Sequence, residues 1–190
     1  KIIKPGILVA GLALFAFIDL ALIDKTYFNT DSFKDKEEEA AIFNKTAKDE
    51  LILADKSDFR VFNMGGGSFS ENNTSYLYKS VGGYHAAKLR IYQDLIERQL
   101  SKQEPNMAVF NMLNTKYFIV NGPNNQPVAQ INQAANGPVW FIKAIKYVNN
   151  ADEEMMAIDS LHSKDTVIID KREQSKVTVV PNFDSSSSIR

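Results

Sequence analysis

Hydrophobic and polar positions divide this chain into one long apolar block and a series of shorter, patterned segments. The block runs from Gly6 to Ile23 and is interrupted only by Asp19. As a helix, eighteen residues reach ~27 Å, close to the hydrocarbon thickness of a bilayer. The apolar residues surround the helix instead of forming a stripe, which argues against an interfacial amphipathic helix. A cleaved signal peptide and a buried helix of a soluble protein pass the same test, but no A-x-A site follows the apolar core. A transmembrane span over 6–23 is the preferred reading. Lys1 and Lys4 flank its near end and Asp24 and Lys25 its far end. The positive-inside tendency then puts Lys1 in the cytoplasm and the residues after Ile23 outside.

After the block, the period of the pattern changes repeatedly. Cap-type residues Thr30, Asp31 and Ser32 precede acidic positions Asp35 to Glu39. With Ala40, Phe43, Ala47 and Leu51 at helical spacing, they predict a helix over about 33–53 with one buried face. FRVFNM (59–64) alternates as a strand does, and GGGSFSENNTS (65–75) reads as a long flexible loop. Residues 86–100 carry a stripe of Leu89, Tyr92, Ile96 and Gln99, widened by Leu95 and Leu100, which predicts a second helix. A short helix over 107–113 and a buried strand over 116–120 follow, then a turn at Gly122-Pro123-Asn124-Asn125. PVAQIN, VWFIKAIKYV, TVIID and KVTVV read as further strands, with a helix capped by Asn150 or Asp152 between the second and third. Helices and strands mix without a regular βαβ repeat. The expected class is α+β: a mixed sheet with several packed helices, preceded by one transmembrane helix. The expected domains are 1–25, the helix with its flanks, and 26–190, an extracytoplasmic α+β domain.

Composition narrows the function classes. The chain has 190 residues, formal net charge −1 and no cysteine. Lys and Arg are interspersed with Asp and Glu, so no basic footprint points to nucleic acid. Without cysteine there is no disulfide framework and no thiolate metal site. The chain opens on Lys1 and closes on NFDSSSSIR, which suggests a piece of a longer protein, incomplete at its C-terminus.

Candidate chemistry is sparse. The two histidines, His85 and His162, belong to no closely spaced ligand set, and no G-x-S-x-G elbow is present. The three glycines at 65–67 lack the lysine-plus-hydroxyl pair of a phosphate loop. Asp94 and Glu97 lie three apart on one helix and could form a carboxylate pair, but Arg90 and Arg98 beside them favour surface ion pairs. Lys88, Arg90 and Arg98 form a basic strip that could touch phosphate groups at a membrane surface. No catalytic residue, metal site or cofactor is expected. Gly82-Gly83-Tyr84-His85 reads first as a glycine-flexed start to the 86–100 helix.

Two blocks, SYLYKSVGGYHAAKLRIYQDLIERQL and NMAVFNMLNTKYFIV, resemble the extracytoplasmic region of YfhO-type bacterial membrane proteins. GPVWFIKAIKYVNNADEEMMAI continues the likeness in order, although Gly137-Pro138-Val139 stands where that family more often has an alanine. The resemblance covers about 19–171. It implies a multi-span glycosyltransferase of the GT-C type, taking sugar from a polyprenyl-phosphate carrier to decorate cell-envelope polymers. The catalytic acid of such proteins lies in earlier spans, so none is carried onto this chain. The partners implied are the lipid bilayer through residues 6–23, other transmembrane helices of the parent protein, a polyprenyl-phosphate sugar and an envelope glycan acceptor. The location implied is the plasma membrane, with 26–190 on its extracytoplasmic side. Tyr84, His85, Lys88 and Arg90 then become candidate glycan contacts, because flat aromatic faces with precise polar groups suit carbohydrate. The competing reading is a structural or protein-interaction domain without ligand, in which the same four residues are core and cap residues.

Overall fold

The computed structural model describes residues 4–41, 43–178 and 181. The chain divides into two compact units, Lys1–Asn44 and Lys45–Arg190.

In the first unit, helix α1 (Pro5–Tyr27) begins with proline at its first turn, where a missing N–H costs nothing. Its most apolar window has mean hydropathy 2.5, and none of its residues is buried. It is long and apolar enough to cross a membrane, as its sequence suggests. Asn29 caps a 3₁₀ turn at Thr30–Ser32, and helix α2 (Lys36–Ala41) follows.

The single helix expected over 33–53 is broken, and α3 (Ala47–Ala54) is a separate element of the second unit. The reason is local. Thr46 starts a new helix, its backbone N–H and hydroxyl both donating to Asp49 Oδ2 at 2.7 Å. The restart rotates the buried face: Asp49 and Ile52 are buried, while Leu51 of the expected stripe is 51% exposed.

The second unit is α+β. Strands β1 (Arg60–Asn63), β2 (Thr115–Asn121) and β3 (Pro127–Ile131) form a mixed sheet in that order. β1 pairs with β2 in parallel and β2 with β3 antiparallel. Between β1 and β2 lie α4 (Asn73–Leu77), α5 (Arg90–Leu95), a π-helical turn (Ile96–Leu100) and α6 (Met107–Met112). Asn114 turns the chain from α6 into β2 at φ +57°, a conformation asparagine tolerates. Its side chain donates to the Asp58 carbonyl at 2.7 Å, which holds the turn beside β1.

Alternation along the strands sends side chains to both faces. Phe62 and Phe118 join Val81, Ile96, Leu100, Val109 and Phe110 in one cluster. Val61, Tyr117 and Ile119 pack with Ile52 of α3 in another. The Phe110 ring lies 4.7 Å from Phe62 and 5.2 Å from Phe118, centroid to centroid. Such offset and edge contacts are favoured beyond area burial alone.

A second sheet pairs β4 (Ala144–Val148) with β5 (Thr166–Asp170) in parallel, joined across α7 (Ala151–Ala157). Asn150 caps α7 by accepting from the Glu153 N–H at 2.9 Å. The expected strand over 139–148 is half as long. Trp140 lies ahead of it and donates its indole N–H to the Ser163 carbonyl at 2.9 Å, which pulls the chain out of the ladder. At KVTVV the described residues give no strand: Lys171–Lys176 is a 3₁₀ helix capped by Asp170. Val179 and Val180 lie outside the described residues.

Candidate functional site

The site grows from the edge of β1. Val61 donates to the Lys79 carbonyl at 2.9 Å and accepts from the Val81 N–H at 3.0 Å, so residues 79–81 run beside β1 as one more short parallel bridge. The chain then meets the 65–75 segment at close range. Gly83 donates to the Ser68 carbonyl at 2.8 Å, and a Cβ on Gly82 would sit 2.0 Å from that same oxygen. Gly83 itself has φ +96°, with Ser75 Oγ only 2.7 Å from where its Cβ would be. The glycine pair is needed here to let two loops touch, not to start a helix: α5 begins at Arg90.

The 65–75 segment is not a free loop. Ser70 and Glu71 both donate to the Gly67 carbonyl, Glu71 Oε2 accepts from the Thr74 N–H at 3.0 Å, and α4 starts at Asn73. The other carboxylate oxygen of Glu71 is buried without a hydrogen-bond partner among the described residues. Asn72 Oδ1 accepts from the Tyr84 N–H at 3.3 Å, which fixes the backbone where the candidate residues emerge.

Of the four candidates, Tyr84, His85 and Arg90 are exposed and Lys88 is half-buried; none is a core residue. His85 Nδ1 accepts from the Ala87 N–H at 3.1 Å, and Nε2 has no hydrogen-bond partner among the described residues. The Lys88 ammonium lies 5.9 Å from the centre of the Phe69 ring, within cation–π range. Arg90 pairs with Asp94 at 2.8 Å, one turn along α5. Tyr84, His85 and Lys88 border two open cavities, of about 370 and 490 Å³, and Arg90 borders the larger.

Sequence reasoning missed Arg60, Phe69, Ser80 and Tyr92, which complete these walls. Arg60 belongs to β1 and Phe69 to the glycine-rich segment, so no local pattern joins them to His85. The Tyr92 hydroxyl donates to the Val81 carbonyl at 2.6 Å, and burial pushes its pKa up against the opposing influence of the Arg60 charge.

The other candidate chemistry resolves into structure. Asp94 is taken by Arg90, and Glu97 accepts from Gln93 at 2.8 Å, so the two carboxylates form no dyad. No group of three or more His, Asp or Glu side chains suited to a metal occurs among the described residues.

A buried carboxylate lies elsewhere, at Asp49, which is 1% exposed. It accepts from Thr46, from Lys48 at 2.5 Å and from the Tyr78 hydroxyl. Burial alone would raise its pKa. The hydrogen bonds from Lys48, Thr46 and Tyr78 together outweigh it and hold the carboxyl well below the usual range. Tyr78 is pushed the other way, by burial first, then by its hydrogen bond to Asp49, and last by the Asp49 charge. With its oxygens engaged, this carboxylate ties α3 to the end of α4 and is poorly placed to move a proton for a substrate.

No family model, curated protein or solved structure matches the chain.

Proposed function

We propose that this chain is a membrane-anchored, non-catalytic module of a cell-envelope glycosyltransferase, and that its second unit holds glycan at the surface around Tyr84, His85, Lys88 and Arg90. In this reading α1 lies in the plasma membrane among other helices of the parent protein, and residues 26–190 face the extracytoplasmic side. Transfer of sugar from a polyprenyl-phosphate donor belongs to other segments of the parent. This surface seats the donor sugar or the envelope acceptor.

The observation that carries the reading is the combination at one open cavity. An exposed Tyr84 ring, a free His85 Nε2 and the Lys88 ammonium converge there on a backbone fixed by Asn72 and Ser68. A flat aromatic face stacks on sugar C–H groups while the polar atoms take its hydroxyls. The blocks that resemble YfhO-type proteins, together with an apolar helix of spanning length, supply the membrane and glycan context.

A second reading, a structural domain without ligand, draws on the local partners of His85 and Arg90, the Ala87 N–H and Asp94. Titration of the chain in neutral-lipid nanodiscs with envelope polysaccharide fragments separates the two. The glycan reading expects saturable NMR shifts confined to residues 80–90. A flat titration supports the structural one.

A further inference from the structure

The smaller of the two cavities has an uneven charge. Arg60, His85 and Lys88 border it together with the hydroxyl-bearing Ser75, Ser80 and Tyr92, and no Asp or Glu is among its lining residues. Its two permanent cations keep donors to spare. Arg60 spends one guanidinium N–H on the Leu113 carbonyl at 3.3 Å, and Lys88 rests over Phe69. Neither forms an ion pair among the described residues, whereas Arg90 and Lys79 each hold a carboxylate. The Arg60 charge reaches Asp58, but that carboxylate is held first by Lys79 at 2.6 Å. Glu71 of the neighbouring loop does not line the cavity.

We infer that this cavity is an anion seat, in which Arg60 and Lys88 bind a phosphate group carried by the ligand. Arginine supplies a planar fork of donors and lysine a point charge, the usual division of labour around phosphate oxygens. The Ser80 hydroxyl accepts from the Gly82 N–H at 3.0 Å and donates to no group among the described residues, which leaves its proton for an anionic oxygen. The inference rests on the glycan reading only for what carries the phosphate: a phosphorylated sugar or polymer there, or the headgroup of an anionic lipid. The shared chemistry is a phosphate mono- or diester.

The test uses the whole chain in phosphatidylcholine nanodiscs, with amide shifts of residues 79–90 followed by NMR. Inorganic phosphate and glycerol 3-phosphate are the soluble probes. A parallel sample replaces part of the lipid with phosphatidylglycerol, and a neutral oligosaccharide is titrated separately. We expect saturable shifts with the phosphate probes, weakened at least about tenfold in Arg60→Gln and in Lys88→Gln, the loss of one charge-assisted contact each. If the shifts arise with phosphatidylglycerol instead, without added probe, and show the same dependence on both variants, the phosphate comes from a lipid headgroup. Absence of shifts in both arms, or shifts equal in the wild-type and folded variant chains, would overturn the inference. A neutral oligosaccharide that fails to bind while phosphate still does would defeat the glycan reading alone.

Discussion

The side-chain amide of Asn106 donates to the side-chain carbonyl of Gln99 at 2.9 Å, and Gln99 in turn donates to the Met155 carbonyl at 3.2 Å. Asn106 also reaches the Ile158 carbonyl at 3.1 Å and caps α6 through the Ala108 N–H at 3.0 Å. Two amides thus join the π-helical turn, α6 and the end of α7. Gln99 is 1% exposed, so its amide has no water to fall back on.

Asn106→Ala therefore removes a cap and strands a buried amide at once. The expected loss is ~1–3 kcal/mol of unfolding free energy in urea titration. Gln99→Ala should cost a similar amount. The double variant should cost less than the sum, because either single change already breaks the shared bond.

The Asp49 network predicts an acid-sensitive fold. Its folded pKa lies below the ordinary carboxylate value, so its stabilising effect is complete above about pH 4 and is lost as pH falls through the lowered folded value. Thermal melts between pH 7 and pH 2 should fall more steeply for the wild type than for Asp49→Asn. Tyr78→Phe removes one hydrogen bond to this buried charge and should cost ~1.5–3 kcal/mol at pH 7. Equal slopes for wild type and Asp49→Asn would show that other groups govern the acid limb.

Much of the second unit was legible from period alone. β1, β2, β3 and the capped α7 fall where alternation and cap residues predict them, because each is fixed by its own side chains. The failures share a physical cause: a contact from a distant segment that no local pattern encodes. Trp140 leaves its strand for Ser163, and Leu89, counted in a buried stripe, is 72% exposed because the chain before Arg90 is held by loop contacts instead of helix. The reverse holds at Thr46, where the deciding signal is local: Thr46 and Asp49 form a capping box that the Ala40–Leu51 spacing does not reveal. At the candidate site, Tyr84, His85, Lys88 and Arg90 are close in sequence and were readable. Arg60 and Phe69 come from other elements and were not.

Gly82 offers a test of how the loop contact supports the site. An alanine there would put its Cβ against the Ser68 carbonyl, a backbone atom that cannot rotate away. Gly82→Ala should cost ~1–3 kcal/mol and displace the 65–75 segment from residues 80–85, seen as amide shift changes in both. A variant with wild-type stability would mean that the two loops separate at little cost.

The absence of cysteine allows a clean test of membrane side. Ser101→Cys introduces one exposed thiol in the second unit. In intact cells a membrane-impermeant maleimide should label it without permeabilisation. Labelling only after permeabilisation would place the unit in the cytoplasm and contradict the extracytoplasmic reading.

The most direct test of the glycan-holding surface is the affinity of Tyr84→Ala plus His85→Ala for envelope polysaccharide fragments, measured beside the thermal midpoint of the same protein. Tyr84 is 63% exposed and the hydrogen bond of His85 among the described residues is local, so the variant should fold with its midpoint nearly unchanged. We expect affinity to fall at least about tenfold, the loss of one stacking face and one polar contact. Unchanged affinity in the folded variant, or a collapse of the midpoint instead, would contradict a role in holding glycan.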